Sequence, residues 1–188
     1  MKILIKSFYL FAWLIWPVAV SGESAGACTA LWLACSPDLA KTDSFDQVDC
    51  ESTRVRAVGV TGAQTSLDPK QMREWVGPEL AYGGHAFGLA ESDFALFLKK
   101  RSEFKKYFGT VSTAALLSAD DCPVYLYYKQ TPDELNKDHD YYVHSPGFGF
   151  GFQKLVKSRG VTSYLAWPGH KDEGFKGDVV DFIIEKLR

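Results

Sequence analysis

The sequence predicts an α/β protein: a mostly parallel sheet of about four strands with helices on both faces. Two patterns predict it. Short apolar runs of β-forming residues recur at 17–21, 54–61, 123–128 and 161–167, and stretches of helical periodicity separate and follow them. Strands alternating with helices of this length are joined by crossovers, which are right-handed in a parallel sheet. A third observation sets the scale. The 188 residues are 46% hydrophobic and 23% charged, a globular composition without internal repeats, low-complexity tracts or Gly/Ser linkers.

The first strand, 17–21, leads through Gly22-Glu23-Ser24-Ala25-Gly26 into a helix over 27–35. Residues 36–53 are polar and loop-like. Val55, Ala57, Val58 and Val60 make 54–61 a buried strand that closes at Gly62. Asp68 and Pro69 supply the N-cap and first position of a short helix reaching Trp75. A Gly-rich loop over 77–88 holds His85. The helix over 93–108 carries Phe94, Phe97, Leu98, Phe104 and Phe108 on its apolar side, and Lys99, Lys100, Lys105 and Lys106 on its wet side. The third strand, 123–128, is followed by a polar loop over 129–140. A helix over 148–158, a strand over 161–167, a turn over 168–172 and an amphipathic helix over 175–187 complete the chain.

Lys plus Arg (21) nearly balances Asp plus Glu (23), for a formal net charge of -2. That argues against a polybasic nucleic-acid binder, so no nucleic-acid partner is expected. Nothing in the composition bears on the oligomeric state.

The N-terminus supports two readings. The first 20 residues hold no acid and only two charges, Lys2 and Lys6. Read as targeting, this is a signal peptide ending near Gly22. The apolar run is too short, and too broken by Pro17, for a stable membrane span of about 20 residues. Cleavage there would leave a secreted or periplasmic, non-catalytic binding or structural module; without cleavage the chain is cytoplasmic. Read as structure, the stretch is a strand, then Gly-x-Ser-x-Gly, then a helix, the context of a nucleophile elbow. A sharp strand-to-helix turn forces its Ser into a strained backbone region, and neighbours without side chains let the chain pass close by. The helix N-terminus then points free amides at developing negative charge.

In parallel sheets the chemistry sits beyond the C-terminal ends of the strands. Ser24 follows the first strand, Asp133, Asp138 and Asp140 follow the third, and His170 follows the fourth. Ser is a weak nucleophile unless a His takes its proton and a carboxylate holds that His in the right tautomer. The order Ser, Asp, His matches one of the known triad orders.

Residues 18–28 (Val-Ala-Val-Ser-Gly-Glu-Ser-Ala-Gly-Ala-Cys), 120–128 (Asp-Asp-Cys-Pro-Val-Tyr-Leu-Tyr-Tyr) and 164–170 (Tyr-Leu-Ala-Trp-Pro-Gly-His) resemble the C-terminal half of an α/β-hydrolase of the esterase/lipase, carboxylesterase-like kind. Residues 60–69 (Val-Thr-Gly-Ala-Gln-Thr-Ser-Leu-Asp-Pro) share that likeness without an evident chemical role. The resemblance spans about 17–188 and leaves 1–16 as a signal-like or mis-joined segment. It implies a partial α/β-hydrolase fold and a small-molecule carboxylic ester substrate, with no cofactor. It makes Ser24 the nucleophile, His170 the general base and then acid, and the Ala25 backbone N–H one oxyanion donor. The acid is Asp133 by distance from the strand, Asp140 if the loop folds back, or Asp138 as a third choice. Family members carry about four strands and a His-Gly-Gly-type loop ahead of the elbow. Here some 20 residues precede Ser24. The resemblance therefore implies a truncated, weakly active or inactive chain, since losing one oxyanion donor costs on the order of 10²–10³ in rate.

Other features read as structural. His85, His139 and His144 are loop or surface residues without metal-ligand spacing, so no metal is expected. Glu23 occupies the variable elbow position. Gly147, Gly149 and Gly151, alternating with Phe148, Phe150 and Phe152, form a small-residue helix face rather than a dinucleotide loop. Cys28 and Cys35 lie two helical turns apart, about 10.5 Å, too far to bridge. Free thiols fit Cys28, Cys35, Cys50 and Cys122. A carbohydrate-directed esterase would differ only in its substrate.

Overall fold

The computed structural model describes residues 17–90 and 92–188, so the signal-like segment 1–16 lies outside the described residues. The chain runs β1 (Ala19–Glu23), α1 (Ala25–Cys35), β2 (Ala57–Thr61), α2 (Pro69–Val76), α3 (Phe94–Lys99), α4 (Arg101–Val111) and α5 (Thr113–Leu116). It continues through β3 (Val124–Tyr127), α6 (His139–Val143), α7 (Pro146–Ser158), β4 (Ser163–Trp167), β5 (His170–Lys171) and α8 (Val179–Leu187).

Strands β1 to β4 pair in chain order and all in parallel, and the two-residue β5 returns antiparallel on β4. Alternate residues of each strand face opposite sides of the sheet. Val58, Val60, Val124 and Leu126 pack with Ala27 and Leu31 of α1 and with Phe148, Phe152 and Val156 of α7. Ala57, Tyr125 and Ala166 receive Phe182 of α8 on the other side. Helices thus cover both faces, and the four apolar runs read from the sequence are the four parallel strands. Both cores are apolar because a parallel sheet is buried on two sides.

The alternating glycines of α7 are set by packing. A Cβ at Gly149 would press on the Tyr128 ring and Leu165 (2.5 and 2.6 Å), while one at Gly151 would overlap the Trp75 indole. The four cysteines are free thiols. Burial pushes the Cys28 and Cys35 thiols up, and burial followed by the Asp121 charge pushes Cys122 up to about 11.

Several elements differ from expectation: α5 is additional, and α8 starts at Val179 rather than 175. The helix expected over 93–108 is two helices, with Lys100 between them at φ -87° and ψ 6°. The break lets Phe97, Phe104 and Phe108 converge on Phe87, with ring centroids 5.0–5.4 Å from it. The polar loop expected over 129–140 ends in the short helix α6, started by Asp138, whose carboxylate accepts from the Tyr141 N–H. The turn expected over 168–172 contains β5.

Asp68 illustrates how the interstrand segment is fastened. Its carboxylate caps α2 through the Lys70 N–H at 3.0 Å and accepts from Arg101 Nε and Nη2 at 2.6 and 2.5 Å. Burial, the largest single influence, opposes ionisation, but the Arg101 and backbone bonds outweigh it and hold the carboxyl below its ordinary value. A depressed folded-state value stabilises the fold above the ordinary carboxylate range, and that contribution disappears as pH falls through the folded value. Asp68→Asn keeps the cap and removes the charge. It is expected to cost about 1 kcal/mol in urea unfolding at pH 7, a difference that shrinks as pH falls below about 4.

Candidate active site

The end of β1 delivers Ser24 into a conformation that ordinary residues avoid. Its φ is 52° and its ψ is -117°, and among the described residues it is the one non-glycine with positive φ. Two backbone bonds hold it there. The Ser24 N–H donates to the Thr61 carbonyl at 3.0 Å, and the Cys28 N–H donates to the Ser24 carbonyl at 3.1 Å. The two flanking glycines are not equivalent. A Cβ at Gly22 would collide with the Gly26 carbonyl, whereas one at Gly26 would meet nothing within 4 Å. Ala25 opens α1, so its N–H has no helical acceptor and stands at the positive end of the helix dipole.

The Ser24 hydroxyl does not cap its own helix. Its Oγ lies 2.9 Å from His144 Nε2, and His144 Nδ1 lies 2.9 Å from Asp140 Oδ1. Asp140 and His144 are four apart, the spacing at which side chains on a helix meet. The second Asp140 oxygen accepts from Gln130 Nε2 at 3.0 Å. His144 is mostly covered, its side chain 23% exposed, while Asp140 is open at 68%. Gly62, at φ 60°, floors the imidazole: a Cβ there would stand 3.2 Å from His144 Cδ2.

Beside these groups is a cavity of about 170 Å³ lined by Glu23, Thr61, Gly62, Lys129, Gln130, Asp140 and His144. Lys129 Nζ pairs with Glu23 Oε1 at 2.5 Å on its exposed side. A larger apolar cavity, about 520 Å³, lies among Leu67, Phe87, Phe104, Tyr107 and Val111 and contains none of the Ser24 group. Among the described residues, no three His, Cys, Asp or Glu side chains are grouped to hold a metal ion. Among the same residues, no helix is long and apolar enough to cross a membrane.

The chain matches no protein-family model and no curated protein. Solved structures do match it. One is a truncated carbohydrate esterase from gut microbiota, at a TM-score of 0.58 and 15% identity, over 91% of this chain and 60% of the other. Another is an acetyl ester-xyloside bifunctional hydrolase from Caldicellulosiruptor lactoaceticus, at 0.53 and 20%, over 79% of this chain and 44% of the other. The chain has the α/β-hydrolase fold. It spans about half the length of these two structures.

Within that α/β-hydrolase sheet the residues expected from the sequence divide. Ser24 and Ala25 stand at the elbow as expected. Asp140, the second choice for the acid, bonds a histidine, but the histidine is His144. His170 is not brought to Ser24. The chain reverses directly after β4, so His170 pairs with Trp167 in the sheet and stacks on its indole, centroids 3.9 Å apart and planes 16° apart. Asp133 is exposed and bonds neither histidine among the described residues, and Asp138 is spent on capping α6. The structure thus brings Ser24, His144 and Asp140 together and brings neither His170 nor Asp133 to Ser24. The sequence does carry a signal for this: Asp140-Tyr-Tyr-Val-His144 places an acid and a histidine at i and i+4. A five-residue helix is too short to show apolar periodicity, which hid that signal.

Proposed function

We propose that the chain forms part of a serine hydrolase acting on carboxylic esters. Ser24 is the nucleophile, His144 the general base and then acid, Asp140 the carboxylate that orients it, and the Ala25 N–H an oxyanion donor. The observation that carries this is the pair of 2.9 Å contacts, Ser24 to His144 and His144 to Asp140, at a strained elbow.

The geometry supports each step. His144 Nε2 accepts the Ser24 proton as Oγ attacks the ester carbonyl, while Asp140 keeps Nδ1 protonated and aimed. The oxyanion forms next to the N-terminus of α1, where amides and dipole oppose its charge. His144 then returns the proton to the departing alkoxide and activates a water that hydrolyses the acyl-enzyme. The matched structures described as an acetyl ester-xyloside bifunctional hydrolase and a carbohydrate esterase lend support to ester hydrolysis.

The test is covalent. A fluorophosphonate probe is expected to label Ser24, as read by peptide mass, and Ser24→Ala is expected to abolish labelling. Labelling of equal extent in Ser24→Ala would overturn the assignment.

A further inference from the structure

The run Gly62-Ala63-Gln64-Thr65-Ser66 leaves β2 at the same end of the sheet as Ser24, and Ala63 through Ser66 are buried. A buried side-chain amide must find partners or cost free energy. Gln64, 3% exposed, finds them on two different elements. Its Nε2 donates to the Val143 carbonyl at 2.9 Å and to the Gly62 carbonyl at 3.2 Å. Its Oε1 accepts from Cys28 Sγ at 3.1 Å. Two carbonyl acceptors on one side and a thiol donor on the other fix the orientation of the amide.

Those partners are adjacent to the reacting pair. Val143 precedes His144 in the chain, and Cys28, one turn into α1, donates its N–H to the Ser24 carbonyl. Helix α6 has five residues, too few to hold itself without tertiary ties. Gly62, in the same loop, floors the His144 ring. We propose that Gln64 is a positioning residue: its buried amide clasps the elbow helix to the end of α6 and so sets the Ser24–His144 distance. This rests on the reading of Ser24 and His144 as the reacting pair.

The test uses Gln64→Met, of similar shape but without hydrogen bonds, and Gln64→Glu, of equal reach but unable to donate when ionised. The readouts are the second-order rate of fluorophosphonate labelling of Ser24, the His144 ring resonances by NMR, and thermal unfolding. Labelling is expected to slow on the order of 10- to 100-fold, the scale on which a shift of about 1 Å acts, with the His144 resonances displaced in the folded protein. Folded variants that label at the parent rate with unmoved His144 resonances overturn the proposal. If Gln64→Met does not fold, Cys28→Ala breaks one of the same ties from the elbow side. It is expected to slow labelling several-fold, with Cys28→Ser recovering most of the loss; parent-rate labelling by Cys28→Ala overturns the clasp. His144→Ala separates the two levels. Unchanged labelling in that variant removes the underlying reading, whereas loss there beside normal rates in the Gln64 variants removes only the clasp.

Discussion

His144→Ala is expected to lower the reactivity of Ser24 by about 10⁴ or more, the loss seen when the base of a serine triad is removed. His170→Ala is expected to leave it within a few-fold. The difference follows from reach. A general base must come within hydrogen-bond distance of the proton it takes. His144 Nε2 meets that condition at 2.9 Å, and Asp140 supports its other nitrogen at 2.9 Å. His170 is spent on Trp167, paired through the backbone and stacked through the ring. Labelling rates and p-nitrophenyl acetate turnover across pH 5–9 read both variants. The opposite ranking, with His170→Ala inactive and His144→Ala near the parent, would assign the base to His170. That result would require the loop after β4 to move toward Ser24.

Gly22→Ala is expected to have the largest effect on the fold around the site. Its Cβ would collide with the Gly26 carbonyl and lie 2.8 Å from the Ala27 nitrogen, both of them backbone, so no side chain can swing aside. The elbow would have to open. Overpacking of this kind costs about 1–3 kcal/mol, and the displaced turn would carry Ser24 away from His144. Urea unfolding and fluorophosphonate labelling are expected to fall together. Gly26→Ala is the matched contrast. A Cβ at Gly26 meets nothing within 4 Å, and the residue lies within α1, where Ala exceeds Gly in helix propensity by about 1 kcal/mol. That variant is expected to be at least as stable as the parent. Equal destabilisation by both changes would mean that the turn is not closed as the structure has it.

The contrast shows how the Gly-x-Ser-x-Gly pattern conveys its meaning. The first glycine is demanded by a close approach within the described residues; the second is not. Pattern alone could not separate them, because the collision is between residues brought together by the turn. The strand, elbow and helix were legible for a local reason. A short apolar run, two glycines and a helix-forming stretch depend on near neighbours in sequence. The same holds for Asp68-Pro69 starting α2 and for the apolar runs that became β2, β3 and β4.

What the sequence by itself determined is therefore the α/β plan, its apolar strand runs and the serine at the first crossover, all encoded in periods of a few residues. Which histidine reaches that serine was decided only in three dimensions. His144 and Ser24 are separated by 120 residues, and the segment joining them to one another passes through β2, the aromatic cluster around Phe87, and β3. The i, i+4 spacing of Asp140 and His144 is a local mark of that pair, but it does not say which histidine meets Ser24. The position of His144 depends on a five-residue helix held by tertiary ties, on Gly62 beneath its ring and on the Gln64 amide behind it. His170, in the more familiar place after the last parallel strand, was claimed by a nearer partner, the indole three residues before it.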